Sequence, residues 1–218
     1  FPKMEDKQIK TKDRVSKFGE VNTAKNEINE MLNLVNKETQ RFDSRFLEPA
    51  CGDGNFLIAV LKKKLEILSI KFKKNQYEFE RNGFVIVSSL YGIDILKDNI
   101  KTARKRIYEI FFKSYSKFFK GNLNQNFLTS INFVIEKNII HGDAITLKKS
   151  NSNKPIIFSE WGLINNKVKR RDFTMNDLLN YEQIKSTPLF SDTGSDVFLP
   201  RSLKEYSLVD FDKIKLKK

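Results

Sequence analysis

The chain has one cysteine, one histidine and one tryptophan in 218 residues. A single cysteine, Cys51, rules out any disulfide within the chain and fits a reducing, cytoplasmic compartment. One cysteine and one histidine also exclude the usual zinc sites. No apolar run approaches the ~18 residues that a membrane-spanning helix needs. No basic-then-apolar secretory pattern opens the chain. The sequence begins at Phe1 rather than Met, which places its numbering inside a natural protein. Prolines are few, and Pro188 and Pro200, with Gly194, punctuate an otherwise extended C-terminal stretch. No internal repeat is present.

Cations are abundant. Forty Lys and Arg against 27 Asp and Glu give a net charge of +13. A charge of that size points to a polyanionic partner, nucleic acid first and a membrane surface second. A Lys- and Asn-rich composition also arises in AT-rich genomes, so charge alone does not name the partner. The chain is 39% hydrophobic with 19 Phe, enough for a packed core in one domain with an appendage.

The apolar periodicity divides the chain. Residues 1 to 20 are dense in charge and read as an arm. A helix follows Thr23, a fair N-cap, with Ile28, Met31, Leu32, Leu34 and Val35 on one face. A short strand covers Arg45 to Pro49. A helix covers Asn55 to Lys74, on which Lys62, Lys63 and Lys64 form a solvated run. Tyr77 to Ser89 fits a helix, or a strand starting near Phe84. Leu90 to Asp94 is a second strand and Asp98 to Phe119 a long helix that Gly121-Asn122 ends. Phe127 to Glu136 reads as a helix. Ile139-Ile140 leads as a strand into His141-Gly142-Asp143, and Pro155 to Ser159 is a fourth strand after a polar loop. Asn165-Asn166 marks a hairpin turn, and Met175 to Tyr181 a short helix.

The most informative stretch is Phe46 to Phe56, F-L-E-P-A-C-G-D-G-N-F. A strand ends in an acid, Glu48, and then a glycine turn opens a helix. Gly52 and Gly54 can take backbone angles closed to other residues, so a ligand can approach the main chain. The helix N-terminus behind them offers free N–H groups, and Glu48 can accept from an amine. The strand Leu90-Tyr91-Gly92-Ile93-Asp94 then ends in an acid, the position that holds ribose hydroxyls in open α/β sheets. Asp94 also suits an N-cap, and the two roles are compatible. Cys51 has acids for neighbours, which work against a thiolate, so it reads as a packing residue. His141, the lone histidine, reads as structural.

Taken together, these segments resemble the class I S-adenosylmethionine-dependent methyltransferases. E-P-A-C-G-D-G-N-F is similar to the D-P-A-C-G-S-G-x-F wording of adenine-specific DNA methyltransferases of restriction–modification systems. Phe18-Gly19-Glu20-Val21-Asn22-Thr23 resembles their upstream G-E-x-x-T-P element, with Ala24 in place of proline. His141-Gly142-Asp143-Ala144 resembles their G-D-A element. The likeness runs over roughly residues 12 to 161. It implies S-adenosylmethionine as cofactor, with contacts from Thr23, Glu48, Ala50, Gly52, Gly54, Asp94, Ile95 and Asp143. Thr23 would help hold the methionine carboxylate and Asp143 would face the adenine ring.

In that family a fourth strand ends in an Asp, Asn or Ser, two prolines and an aromatic. The oxygen accepts from the target amine, and the aromatic stacks on a base flipped from the duplex. Here Ile157-Phe158-Ser159-Glu160-Trp161-Gly162 lacks both prolines. The resemblance makes Ser159 or Glu160 the acceptor and Trp161 the stacking ring. The basic run that follows, with Lys167, Lys169, Arg170 and Arg171, suits phosphate contacts, or forms a solvated hairpin.

The expected fold is a Rossmann-like α/β methyltransferase sheet flanked by helices, with an N-terminal helical arm and an extended C-terminal tail. The expected units are residues 1–44 (arm), 45–185 (cofactor domain) and 186–218 (extended basic tail). The expected function is adenine-specific methylation of double-stranded DNA, with sequence choice supplied by a specificity or restriction subunit, a second copy or the tail. Two other readings stay open: a catalytically inactive, cofactor-binding subunit or regulator associated with DNA, and an RNA methyltransferase.

Overall fold

The computed structural model describes residues 25–164, 166–177, 179 and 202–215. The charged arm, Thr23, residues 178, 180 and 181 of the helix expected over 175–181, and the stretch from 186 to 201 lie outside them. The order is α1 (Lys25–Leu34), α2 (Asn36–Thr39), β1 (Phe46–Glu48), α3 (Asn55–Phe72), α4 (Gln76–Ser88), β2 (Leu90–Asp94), α5 (Lys97–Phe119), α6 (Gln125–Asn138), β3 (Ile139–Asp143), β4 (Lys148–Lys149), β5 (Ile157–Ile164), β6 (Lys167–Thr174), β7 (Lys204–Glu205) and β8 (Val209–Asp210). The architecture is mixed α/β.

One sheet has the order β1-β2-β3-β4. Its first three strands are parallel, with Glu48 beside Gly92 and Asp94 beside His141. Parallel neighbours need long crossovers, and here each crossover is a pair of helices, α3–α4 and then α5–α6. These helices share one apolar core that includes Leu57, Leu61, Phe84, Phe111, Phe127 and the strand residues Phe46, Leu90 and Ile139. Alternate strand residues point to the opposite face. There Tyr91, Ile93 and Ile140 pack against Ile156, Phe158 and Met175. The segment 76–88, open to two readings from sequence, is a helix. Asn75 caps it by accepting from the Glu78 N–H at 3.1 Å.

Three expectations are corrected. The fourth strand does not join the parallel sheet. β5 pairs antiparallel with β6 from Ile157↔Thr174 to Ile164↔Lys167, and Asn166 at the turn has φ 65°. β5 buries residues on both faces, Phe158 in the smaller apolar cluster and Trp161 in the main core. The C-terminal segment is not simply an extended tail, because β7 and β8 both pair with β6. Phe211 and Ile214 then enter the main core, where burying apolar surface outweighs leaving the segment in solvent. Lys64 is not solvated either. It is wholly buried, and its Nζ donates to the carbonyls of Phe42 (3.2 Å) and Ser44 (2.6 Å) and to Ser89 Oγ (2.9 Å). On α1, Ile28 and Leu32 are buried, whereas Leu34 is 85% exposed.

Candidate functional site

The carboxyl ends of β1, β2 and β3 bring the glycine loop, Asp94 and Asp143 to one end of the sheet. After Glu48 the chain turns back under β2, and the Cys51 N–H donates to the Ile93 carbonyl at 2.8 Å. Gly52 and Gly54 have φ of +53° and +88°, angles that side chains with a Cβ rarely adopt. A Cβ on Gly54 would lie 3.1 Å from Ala103 Cβ on α5, whereas a Cβ on Gly52 would meet nothing within 4 Å. Gly54 thus fits the loop to its neighbour, and Gly52 leaves open space in front of the main chain. Gly54 then starts α3 by accepting from the Ile58 N–H at 2.8 Å.

Asp94 holds this loop. One carboxylate oxygen accepts from the Gly52 N–H at 2.9 Å. The other accepts from the Leu96 N–H at 2.8 Å and from Asn99 Nδ2 at 3.3 Å. The strand-end acid therefore joins the glycine loop to the start of α5. Glu48 sits beside it under strain of charge. Burial, and next the carboxylate of Asp94, push Glu48 up to about 8. Its Oε2 is buried with no hydrogen-bond partner among the described residues. Cys51 is buried among the same acids, and its thiol is pushed far up by burial first and by Glu48 and Asp94 after it. It packs against Gly92, where any Cβ would lie 3.0 Å from its Sγ.

Sequence reading missed three residues that α5 brings to the loop. Asn99 touches Asp94, Ala103 meets Gly54, and Arg106 grips the loop tip. Arg106 Nη1 reaches the Asp53 carboxylate at 2.8 Å and its carbonyl at 2.9 Å, while Nη2 reaches Asn55 Oδ1 at 2.9 Å. The signal was present as a helical stripe at positions 99, 103 and 106, beginning five residues after Asp94.

Ile95 is half-exposed beyond Asp94, and its carbonyl accepts from His141 Nε2 at 2.9 Å. Asp143 is solvent-facing. The Ile145 N–H (2.8 Å) and Thr146 hydroxyl (3.0 Å) donate to it, and the Ile145 bond is the main cause of its lowered pKa. A cavity of about 540 Å³ opens beside Ile95, Asp143 and Thr146. Ala50 is exposed in the loop, and Thr23 lies outside the described residues.

Ser159, Glu160 and Trp161 are placed elsewhere. Glu160 pairs with Arg45 at 2.8 Å and Arg171 at 2.6 Å. Arg45 precedes β1, so Glu160 lies at the amino end of the strand whose carboxyl end carries the loop. Burial raises the Glu160 pKa, but Arg45 and Arg171 together outweigh it and the net shift is downward. Ser159 is buried, and its hydroxyl donates to Asp172 at 2.7 Å. Trp161 is buried edge-to-face against Phe84 and Phe133, and its N–H donates to Asn138 at 2.9 Å. Asn138 precedes β3, again at an amino end. Ligands in open α/β sheets bind beyond the carboxyl ends, the opposite end from Glu160 and Trp161, whereas Ser159 lines a cavity with Ile140 and His141.

The basic run is also largely committed. Lys169 pairs with Glu205 (2.9 Å), Arg170 with Asp172 (2.8 Å) and Arg171 with Glu160 (2.6 Å). Lys167 is exposed at the turn end of β6.

The family model described as MmeI, DNA-methyltransferase domain, matches residues 21–156, more than half of the chain. The chain belongs to that family, a DNA methyltransferase domain of the restriction–modification kind. No curated protein and no solved structure matches it. The matched stretch ends at residue 156, one residue before β5 begins.

Proposed function

We propose that this chain, a member of the MmeI DNA-methyltransferase domain family, binds S-adenosylmethionine at the carboxyl ends of β1 to β3 and methylates the exocyclic amine of adenine in DNA. The observation that carries the reading is the bond from the Gly52 N–H to the Asp94 carboxylate, which sets a glycine loop and a strand-end acid side by side. The parallel order β1-β2-β3 with helical crossovers supports a Rossmann-like, class I arrangement. The motif wording of Glu48 to Phe56 supports adenine as the target.

The residues present fit the cofactor. The unpartnered Glu48 Oε2 is a buried acceptor waiting for a cation, and the open space before Gly52 admits a ligand to the main chain. Glu48 takes the amine, Asp94 a ribose hydroxyl through the remaining lone pair of its Oδ2, and Ile95 and Asp143 the adenine ring. When bound, the cofactor supplies an electrophilic methyl group on its sulfonium. The chain's own contribution is to fix that donor in place, since proximity supplies much of the acceleration in such transfers. Glu160 and Trp161 take no part in this reading, because they lie toward the amino ends of the strands, and Ser159 takes none because its hydroxyl is engaged with Asp172.

The test is to incubate the protein with radiolabelled S-adenosylmethionine and unmethylated DNA, digest the DNA, and identify the labelled base. Label on N6-methyladenine supports the proposal. Calorimetric binding of the cofactor without label in any base would leave the cofactor site standing and reject adenine transfer.

A further inference from the structure

We propose that the cavity between the outer edge of β3 and the β5–β6 hairpin is a phosphate-binding site. This goes beyond the methyl-donor site, since neither the glycine loop nor Asp94 lines it. The cavity measures about 340 Å³, ample for a phosphate group. Arg104, Lys137, Lys149 and Arg170 line it together with only two acids, Glu136 and Asp172.

The two acids do not balance the four cations. Asp172 is consumed by Arg170 through two parallel bonds of 2.8 Å, and it also accepts from Ser159 and from the Tyr206 hydroxyl at 3.0 Å. Glu136 accepts from Asn132 at 3.0 Å, and is the one carboxylate left against three cations. Arg104 spends its bonds on carbonyls, those of Ile139 (2.8 Å) and Glu136 (3.0 Å), not on a carboxylate. Lys137 and Lys149 make no ion pair among the described residues. Burial first, then Arg170 and Lys149, hold the Lys137 pKa down despite the opposing pull of Asp172 and Glu136.

One further feature favours an anion. The loop 149–152 adds the side chains of Asn151 and Ser152, neutral donors of the kind that orient phosphate oxygens. A phosphate in a nucleic-acid backbone and one in a free nucleotide present the same chemistry, so both are tested.

The experiment compares the parent with a Lys137→Gln/Lys149→Gln variant, and with Lys62→Gln/Lys63→Gln as a charge-matched control on α3. Binding to duplex DNA is measured by anisotropy across a salt series, and binding to inorganic phosphate and to ATP by calorimetry. If the site grips the DNA backbone, the slope of log affinity against log salt flattens by up to about two units in the first variant only. If it grips a free phosphate compound, DNA binding holds while phosphate or ATP binding is lost in that variant. Either result supports the site and identifies its source. If neither ligand distinguishes the first variant from the control, the site is overturned. Thermal melting checks that each variant folds. Binding of S-adenosylmethionine, measured alongside, tests the methyl-donor site separately, so failure of one reading is not mistaken for failure of the other.

Discussion

Glu48 and Lys64 are both held near pH 8 by burial, and they act on stability with opposite sign. Glu48 rises to about 8 from 4.5. The folded chain therefore keeps a proton that the unfolded chain loses, and stability falls as pH climbs from about 4.5 through 8. Lys64 falls to about 8 from 10.5. There the unfolded chain holds the extra proton, and stability gains as pH rises from about 8 to 10.5. Glu48→Gln should flatten the loss in the lower window, read from chemical denaturation at a series of pH values. An unchanged profile would show that Glu48 ionises normally. Cofactor binding should also release a proton near pH 7, because a cationic amine favours the ionised carboxylate. Calorimetry in buffers of different ionisation enthalpy measures that release, and Glu48→Gln should abolish it. Lys64→Met should cost about 1–3 kcal/mol, since it leaves the Phe42 and Ser44 carbonyls without their donor.

At the scale of elements, α5 couples the strand-end acid Asp94 to the glycine loop. Its face carries Asn99, Ala103 and Arg106 against Asp94, Gly54 and Asp53. Gly54→Ala should weaken cofactor binding through two causes, a strained φ of +88° and a Cβ only 3.1 Å from Ala103. Binding unchanged in that variant would mean the loop relaxes without consequence. In the proposed reading the hairpin β5–β6 does not carry the platform for a target base, since Trp161 is buried against Phe84 and Phe133. Trp161→Ala should destabilise the chain by about 3–5 kcal/mol, with cofactor affinity of the folded protein preserved. A loss of methyl transfer at parental stability would return Trp161 to the chemistry.

For the whole molecule, the excess of cations bears on DNA through charges without internal partners. Phosphate neutralisation makes such binding steeply salt-dependent. Lys169, Arg170 and Arg171 each have a carboxylate within 3 Å. Replacing all three with Gln should therefore change the salt slope by less than about one unit, well below the about three that free cations would give. A full three-unit change would show that these ion pairs open on DNA.

The sequence by itself determined the local devices at the carboxyl ends of β1 to β3. The glycine turn, the strand-end acids Glu48 and Asp94, and the helices from Asn55, Lys97 and Gln125 follow from short-range chemistry: positive φ, capping and apolar periodicity. Those signals lie within a few residues of one another, so they are legible without a fold. Only the tertiary structure decided where Ile157 to Ile164 would pair. An alternating run fits an edge in either a parallel or an antiparallel sheet, and the choice rests on Phe158 meeting Tyr91 and Trp161 meeting Asn138, contacts across 67 and 23 positions of chain. Ion pairs are long-range in the same way. Nothing near Lys169 or Arg171 in sequence names Glu205 or Glu160 as partner, so a run of cations that reads as free is spent on acids that folding alone brings beside it. Lys64 makes the point in reverse: a lysine in a lysine run carries no local mark of burial, and the Phe42 and Ser44 carbonyls and the Ser89 hydroxyl that converge on it hold its ammonium inside.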